Sequence, residues 1–328
     1  MGTDHAAGHR ITSYGLYADV RGDASAPALL FLHGGPGQGC HDFMAIQGGL
    51  LCRSVRLIGI DQRGVDRSAP MPAKGDGEAG GGLTVADLIA DCEAVRQELG
   101  IARWAVAGQS FGGRLALRYA AAHPGHTSAV IFENPVWDLA ASARAALPPI
   151  AAMLAERGNC GAAQAALAAA ARDTAAGPLR EAYLAALGAL GAERESFFVP
   201  SPGTRARLAE VRKAHPRPDG AAGDEGSMRH HLAIMADPAA AEPVQHLLAR
   251  LQVPMLLIVG GHDPLTSREQ REAFRSAPHG EVLEVPEAGH FVHADDPLRY
   301  AGAVSDFVRC AAGDLSGPAA GPVRATGS

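Results

Sequence analysis

The feature that most constrains this chain is an alternation of strand-like and helix-like segments. Short apolar runs, most of them nearly continuous, occur at Ala28–Leu32, Val55–Ile60, Trp104–Ala107, Ala129–Phe132, Met255–Val259 and Glu281–Val285. Continuous apolar character marks strands buried on both faces. Between several of them lie helical stretches. Thr84 is placed to cap Val85–Leu99, which stops at Gly100; Gly113–Ala122 stops before Pro124; and Pro297 opens a stretch reaching about Ala311. Strands alternating with helices predict an α/β fold with a mostly parallel, doubly wound sheet.

The alternation breaks between Trp137 and Arg250, where Ala-rich sequence with helical periodicity (Leu139–Leu179, then Leu184–Leu190) contains no convincing strand. Pro200–Gly203 and Pro216–Gly226 read as loops within it. A helical insertion between two sheet strands is expected to form a lid, or cap, over one end of the sheet, and sites in open parallel sheets lie at the strands' carboxyl ends. The expected division is therefore a core of residues 1–136 and 251–312, a helical cap of 137–250, and a disordered tail at 313–328. Gly75–Gly82 reads as a flexible loop.

Composition narrows the function classes. The formal charge of −6 and the absence of a Lys/Arg block argue against nucleic acid or an anionic membrane as the main partner. The 66 alanines place much of the apolar content in small, helix-favouring side chains. Only Lys74 and Lys213 could supply a Schiff-base amine, so PLP-type chemistry has almost no candidates. Five cysteines with no Cys-x-x-Cys pair read as free thiols in a reducing setting. Met1–Arg10 lacks the apolar stretch of a signal peptide, and no apolar run approaches the roughly 20 residues that span a bilayer. A cytoplasmic location is the expectation.

The strongest chemical signal is Gly108-Gln109-Ser110-Phe111-Gly112, which follows one predicted strand and opens a helix. In that context Gly-x-Ser-x-Gly is a nucleophile elbow: the turn is so sharp that small residues are needed two positions either side of the serine. A serine hydroxyl is a weak nucleophile at neutral pH, so it needs a base, and the base needs an orienting acid. Asp263, in Gly260-Gly261-His262-Asp263-Pro264, and His290, in Glu287-Ala288-Gly289-His290-Phe291, both follow predicted strands and so fall on the same sheet edge as Ser110. Asp138 is the reserve acid and His293 the reserve base. The glycine-rich His33-Gly34-Gly35-Pro36-Gly37 also follows a strand. It would place the Gly35 N–H beside the Phe111 N–H as an oxyanion hole for the charge that develops in acyl transfer. A phosphate-binding reading of that loop fails, because Gly-x-Gly-x-x-Gly and Gly-Lys-Ser/Thr are both missing.

Taken together, His33–Gly37, Asp61-Gln62-Arg63-Gly64, Gly108–Gly113 and Gly289-His290 resemble the prolyl aminopeptidase (proline iminopeptidase) branch of the α/β-hydrolases. The resemblance implies an α/β-hydrolase fold with an inserted helical cap, Ser110 as nucleophile, His290 as base, Asp263 as acid, and Gly35 and Phe111 as oxyanion donors. It implies no metal or cofactor, and removal of an N-terminal residue, typically proline, from a small peptide or amide. Three departures touch the motifs: Phe111 stands where the family usually has Trp, Val65-Asp66 replaces a further glycine, and the acid loop reads Gly-Gly-His-Asp rather than Gly-Arg-Tyr-Asp. Family members bind the substrate amine with cap carboxylates. Glu133, Glu193, Glu195 and Glu210 are the candidates here, and Trp137 is expected either to line the pocket or to lie in the core.

Other constellations are weaker. His230-His231 and His290-x-x-His293 lack the ligand set of a zinc helix. Cys40 has no elbow and reads as packing, and Asp61 and Arg63 read as braces of a turn. The leading expectation is a serine hydrolase that cleaves an amide or ester of a small-molecule or short-peptide substrate through an acyl-enzyme. A carboxylesterase or lactonase comes next, then a biosynthetic acyltransferase or cyclase, and last a non-enzymatic ligand-binding protein on the same fold.

Overall fold

Eight strands, β1 (Ala7–Ile11), β2 (Leu16–Arg21), β3 (Ala28–Leu32), β4 (Arg56–Asp61), β5 (Trp104–Gln109), β6 (Thr127–Glu133), β7 (Met255–Gly260) and β8 (Gly280–Val285), make one sheet in the order β1-β2-β4-β3-β5-β6-β7-β8. The computed structural model of the chain describes residues 7–11, 15–71, 82–172, 176–217 and 220–313. Of the expected loop at Gly75–Gly82 and the expected tail at 313–328, only Gly82 and Gly313 lie among them. Strands β3 to β8 pair in parallel, and the six expected strands are among them. The hairpin β1-β2, which joins antiparallel to β4, has no counterpart among the expected strands. Asp19 and Arg21 interrupt the apolar run of β2; they bond each other at 2.7 Å, so the polar groups of this strand satisfy one another.

Side chains of each central strand alternate between two cores, as the pleat requires. Leu30 and Leu32 of β3 join one cluster while Leu29 and Phe31 join the other. On the first face lie α2 (Val85–Glu98) and α3 (Phe111–Ala122); on the second, α1 (His41–Leu51) and a C-terminal helix at Pro297–Ala311. Thr84 caps α2 through a reciprocal box with Asp87, as its position in the sequence predicts. The C-terminal helix takes its cap from Asp296, with Pro297 in the first turn.

Between β6 and β7 the described elements are all helical: α4 (Leu139–Glu156), α5 (Cys160–Ala171), α6 (Ala176–Ala189), α7 (Arg194–Phe198), α8 (Pro202–Ala214), α9 (Gly220–Ala236) and α10 (Pro238–Ala241), with short 3₁₀ turns. The three helices α4 to α6 form a small core of their own around Leu147, Ile150 and Leu187. Two expected loops are corrected. Pro202 opens α8 with Ser201 as its cap, so this proline starts a helix rather than breaking one. The Gly-rich 220–226 stretch forms the first turns of α9. Helix α9 docks on the core: a Cβ on Gly37 would approach the Ser227 carbonyl oxygen at 2.6 Å, so glycine there permits the contact. His230 Nδ1 lies 2.8 Å from the Arg63 carbonyl oxygen and His231 Nδ1 3.3 Å from that of Pro36. After the cap come α11 (Arg268–Arg275), α12 (Val292–Asp295) and α13 (Pro297–Ala311). No helix among the described residues is long and apolar enough to cross a membrane.

Candidate active site

Ser110 sits between β5 and α3 with φ 55° and ψ −120°, a strained conformation for a residue with a side chain. The strain is held by hydrogen bonds: the Ser110 N–H donates to the Glu133 carbonyl at 2.9 Å, and the Ser110 carbonyl accepts from Gly113 and Val136 at 3.0 and 3.1 Å. A Cβ on Gly112 would collide with the Leu32 carbonyl oxygen, so the elbow cannot form without a glycine at that position.

His290 Nδ1 lies 2.7 Å from Asp263 Oδ1, and both side chains are buried. Asp263 accepts two further bonds, from the Thr266 N–H at 2.7 Å and the Leu265 N–H at 3.3 Å. Burial alone would raise the Asp263 carboxyl. The charge and hydrogen bond of His290, with the Thr266 bonds, outweigh it and hold the group below its ordinary value. An ionised carboxylate only accepts, so Nδ1 of His290 is the donor to Asp263, and Nε2 is the ring nitrogen outside this bond. Ser110 and His290 line the same cavity.

The His33–Gly37 loop is braced from below. His33 Nε2 accepts from the Gln62 N–H at 3.2 Å, and burial lowers this imidazole below its ordinary value. Gly35, at φ 110°, and Phe111 both border the cavity, where the oxyanion of an acyl-transfer reaction would need them. Asp61 and Arg63 act as structural ties. Asp61 accepts from the Cys40 N–H at 2.9 Å and pairs with Arg67 at 2.7 Å, while Arg63 forks onto Asp91 with both bonds at 2.6 Å. The buried Cys40 thiol is pushed well up by burial and by the Asp61 charge, so it is no nucleophile.

Two expected substrate residues lie elsewhere. Glu133 is buried at the end of β6, where its oxygens reach His293 Nδ1 at 2.9 and 3.0 Å and accept from the His293 N–H at 2.9 Å. It does not border the cavity, and instead ties β6 to the segment after His290. Trp137 is fully buried, stacked on Phe274 at 5.9 Å and edge-on to Phe132 at 4.9 Å, and belongs to the core. The reserves are also occupied. Asp138 caps α4 through Ala140 and Ala141, and His293 is the partner of Glu133. His230 and His231 each meet a backbone carbonyl through Nδ1, of Arg63 and Pro36 respectively. Glu93, His123 and His126 cluster closely enough to hold a cation, but none lines the cavity and Glu93 already binds Arg96 and Tyr119.

Sequence reasoning missed two organising residues. Asn134 donates to the Gly289 carbonyl at 2.9 Å and accepts from the Gly260 N–H at 3.0 Å, linking the base loop to the strand that carries the acid. Gln270 accepts from the N–H groups of Trp137 and Asp138 at 2.7 and 3.0 Å and donates to Ser142, fixing the entry to the cap beside the acid loop. Asn134 lies two residues beyond the predicted strand Ala129–Phe132, and that position is its signal in the sequence.

The cavity has a volume of about 660 Å³ and lies between the elbow, the His33–Gly37 loop and the cap. Phe198 of α7 closes on the base: its carbonyl accepts the His290 N–H at 2.8 Å and its ring lies 5.6 Å from the imidazole. A parallel sheet with an elbow serine, a later acid and histidine, and a helical insertion after β6 together define an α/β-hydrolase fold. Residues 27–155 match the alpha/beta hydrolase fold family. The chain is 39% identical over 127 residues to a proline iminopeptidase of Xylella fastidiosa, a match covering 37% of this chain and 36% of that relative's length. Among solved structures, a proline iminopeptidase-related protein of Thermus thermophilus superimposes with a TM-score of 0.69 at 21% identity, covering 94% of this chain and 98% of that one. The enol-lactonase of Burkholderia xenovorans LB400 gives 0.60 at 19% identity, covering 92% and 99%. The structural likenesses speak to the fold. The sequence likeness to proline iminopeptidases spans about a third of the chain.

Proposed function

We propose that this protein is a serine hydrolase that cleaves an amide or ester bond of a small substrate through an acyl-enzyme. The observation that carries the reading is the His290–Asp263 bond of 2.7 Å beside a cavity that Ser110 and His290 both line. In the first half-reaction His290 Nε2 takes the Ser110 hydroxyl proton as Oγ bonds to the substrate carbonyl carbon. The oxyanion so formed is stabilised by the N–H groups of Gly35 and Phe111. Collapse breaks the bond to the leaving amine or alcohol, which receives the proton from His290. Water then attacks the acyl-enzyme with His290 as base, and release of the acid returns the proton to Ser110. Asp263 remains ionised throughout and stabilises the imidazolium each time it forms.

The sequence match to proline iminopeptidases supports an amide substrate with a free N-terminal amine. The cap carboxylates do not support the amine. Glu193 pairs with Arg157 at 2.9 Å, Glu210 does not border the cavity, and Glu195, which does, pairs with Arg212 at 3.0 Å. Turnover of p-nitrophenyl esters and aminoacyl-naphthylamides, compared between the wild type and Ser110→Ala, tests the reading. Hydrolysis of either class that vanishes in the variant is expected, and hydrolysis that persists in Ser110→Ala contradicts it. Esters turned over while every naphthylamide is inert would remove the aminopeptidase assignment alone.

A further inference from the structure

The charged side chains of the helical insertion that line the cavity with Ser110 are mostly positive. Arg180, Arg194 and Arg212 line the cavity, with Glu195 as the accompanying carboxylate. Arg212 is neutralised by its partners, Asp42 and Glu195, each at 3.0 Å. Arg180 and Arg194 form no ion pair among the described residues. Among the described residues Arg180 reaches only the Met235 carbonyl, at 3.4 Å, and its buried Nε has no partner there. A guanidinium has five N–H donors and stays charged, so a buried donor left unfilled is costly until an acceptor arrives.

Other observations place this charge within one neighbourhood of the site. His231, which bonds Pro36 of the oxyanion loop, has its imidazole lowered by burial, against the Pro36 bond, with the positive charges of Arg180 and Arg194 adding to the lowering. Tyr183 lines the cavity between these groups. Burial raises its phenol, and it feels both Arg194 and Asp263, so its hydroxyl is a proton donor at neutral pH. Leu139, Leu187 and Phe198 give the cavity apolar walls, with Gln38 and Ser142 as further polar side chains.

We propose that the substrate carries a carboxylate, held by Arg180 and Arg194 of the cap, while its scissile carbonyl lies at Ser110 and an aliphatic or aromatic body fills the apolar space between. This assignment rests on the serine-hydrolase reading and specifies its substrate class. An arginine fork matches a carboxylate's two oxygens. The same positive charge would repel the ammonium of an N-terminal amine, which agrees with the pairing of Glu195 to Arg212.

Three p-nitrophenyl esters of similar length test it: the glutarate monoester (anionic), the hexanoate (neutral) and 4-(trimethylammonio)butanoate (cationic). The expected order of kcat/KM is anionic, neutral, cationic, with roughly a tenfold or larger gap between the first two, carried by KM. Arg180→Gln and Arg194→Gln should each reduce the anionic-to-neutral ratio by about tenfold. The Lys variants should fall between Gln and wild type, and they keep the test alive if a Gln variant fails to fold. Arg268→Gln, exposed on α11, should leave the ratio as it is. Equal or better turnover of the neutral or cationic ester overturns the assignment, as does a ratio indifferent to both arginines. An enzyme that takes a fluorophosphonate on Ser110 yet hydrolyses none of the three esters also overturns it while the hydrolase reading stands. If Ser110 neither labels nor supports any turnover, the hydrolase reading falls and takes this assignment with it.

Discussion

Ser110 shows how one residue's backbone determines what its side chain can do. A φ of 55° on a residue with a Cβ persists only because the Gly112 position lets the turn close against the Leu32 carbonyl. Gly112→Ala should therefore destabilise the chain by about 2 kcal/mol or more and lower activity, measured by urea denaturation and ester turnover. A variant as stable as wild type would show that the elbow tolerates a methyl. Glu133 makes a second prediction, because its two possible roles differ in kinetics. As the anchor of His293, Glu133→Gln should lower kcat about tenfold or more with little change in KM, since it loosens the segment behind His290. A rise in KM confined to amine-bearing substrates would restore the amine-binding role. The candidate triad is legible in the sequence because Gly-x-Ser-x-Gly and the strand-end positions of Asp263 and His290 are local patterns, and the structure shows the His290–Asp263 bond. Glu133 was misplaced, and Trp137 stayed open between pocket and core, because closeness to a strand end says nothing of which way a side chain turns; each has a partner, His293 or Phe274, remote in sequence.

Elements were legible where their signals were local and misread where a neighbour decided. Thr84 and Pro297 marked helix starts that the structure shows. The stretches at 200–203 and 216–226 carry the same residue types as loops, yet Ser201-Pro202 caps a helix and Gly226 lets α9 lie close on the core. Strand β2 escaped notice because its charged residues satisfy each other within the hairpin's surroundings. The docking of α9 yields a pH prediction. His230 is buried against the Arg63 carbonyl, and burial lowers its imidazole from 6.5 to about 4. Between those values the unfolded chain binds a proton that the folded chain does not, so this contribution is complete above pH 6.5 and is lost as pH falls towards 4. Wild type should thus lose about 3 kcal/mol more than His230→Asn over that range, measured by denaturant unfolding at each pH. Parallel pH curves for the two proteins would refute the buried, neutral histidine.

For the molecule as a whole, the proposed function gives the reaction to the sheet and the choice of substrate to the helical insertion. The core's alternating pattern made the fold legible, while the Ala-rich cap hid its chemistry because small helical residues carry no positional signal. Its arginines and glutamates looked alike in sequence. The pairing of Arg212 with Asp42 and Glu195 separates it from Arg180 and Arg194, which have no ion pair among the described residues. Both the proposed reaction and the proposed substrate depend on Ser110 being a nucleophile. Incubation of the intact protein with a fluorophosphonate, followed by whole-protein and peptide mass spectrometry, measures this directly. One adduct is expected, located on Ser110, formed more slowly in Asp263→Asn and absent in Ser110→Ala. A folded protein that stays unlabelled, or one labelled on another residue, would show that Ser110 is not the nucleophile.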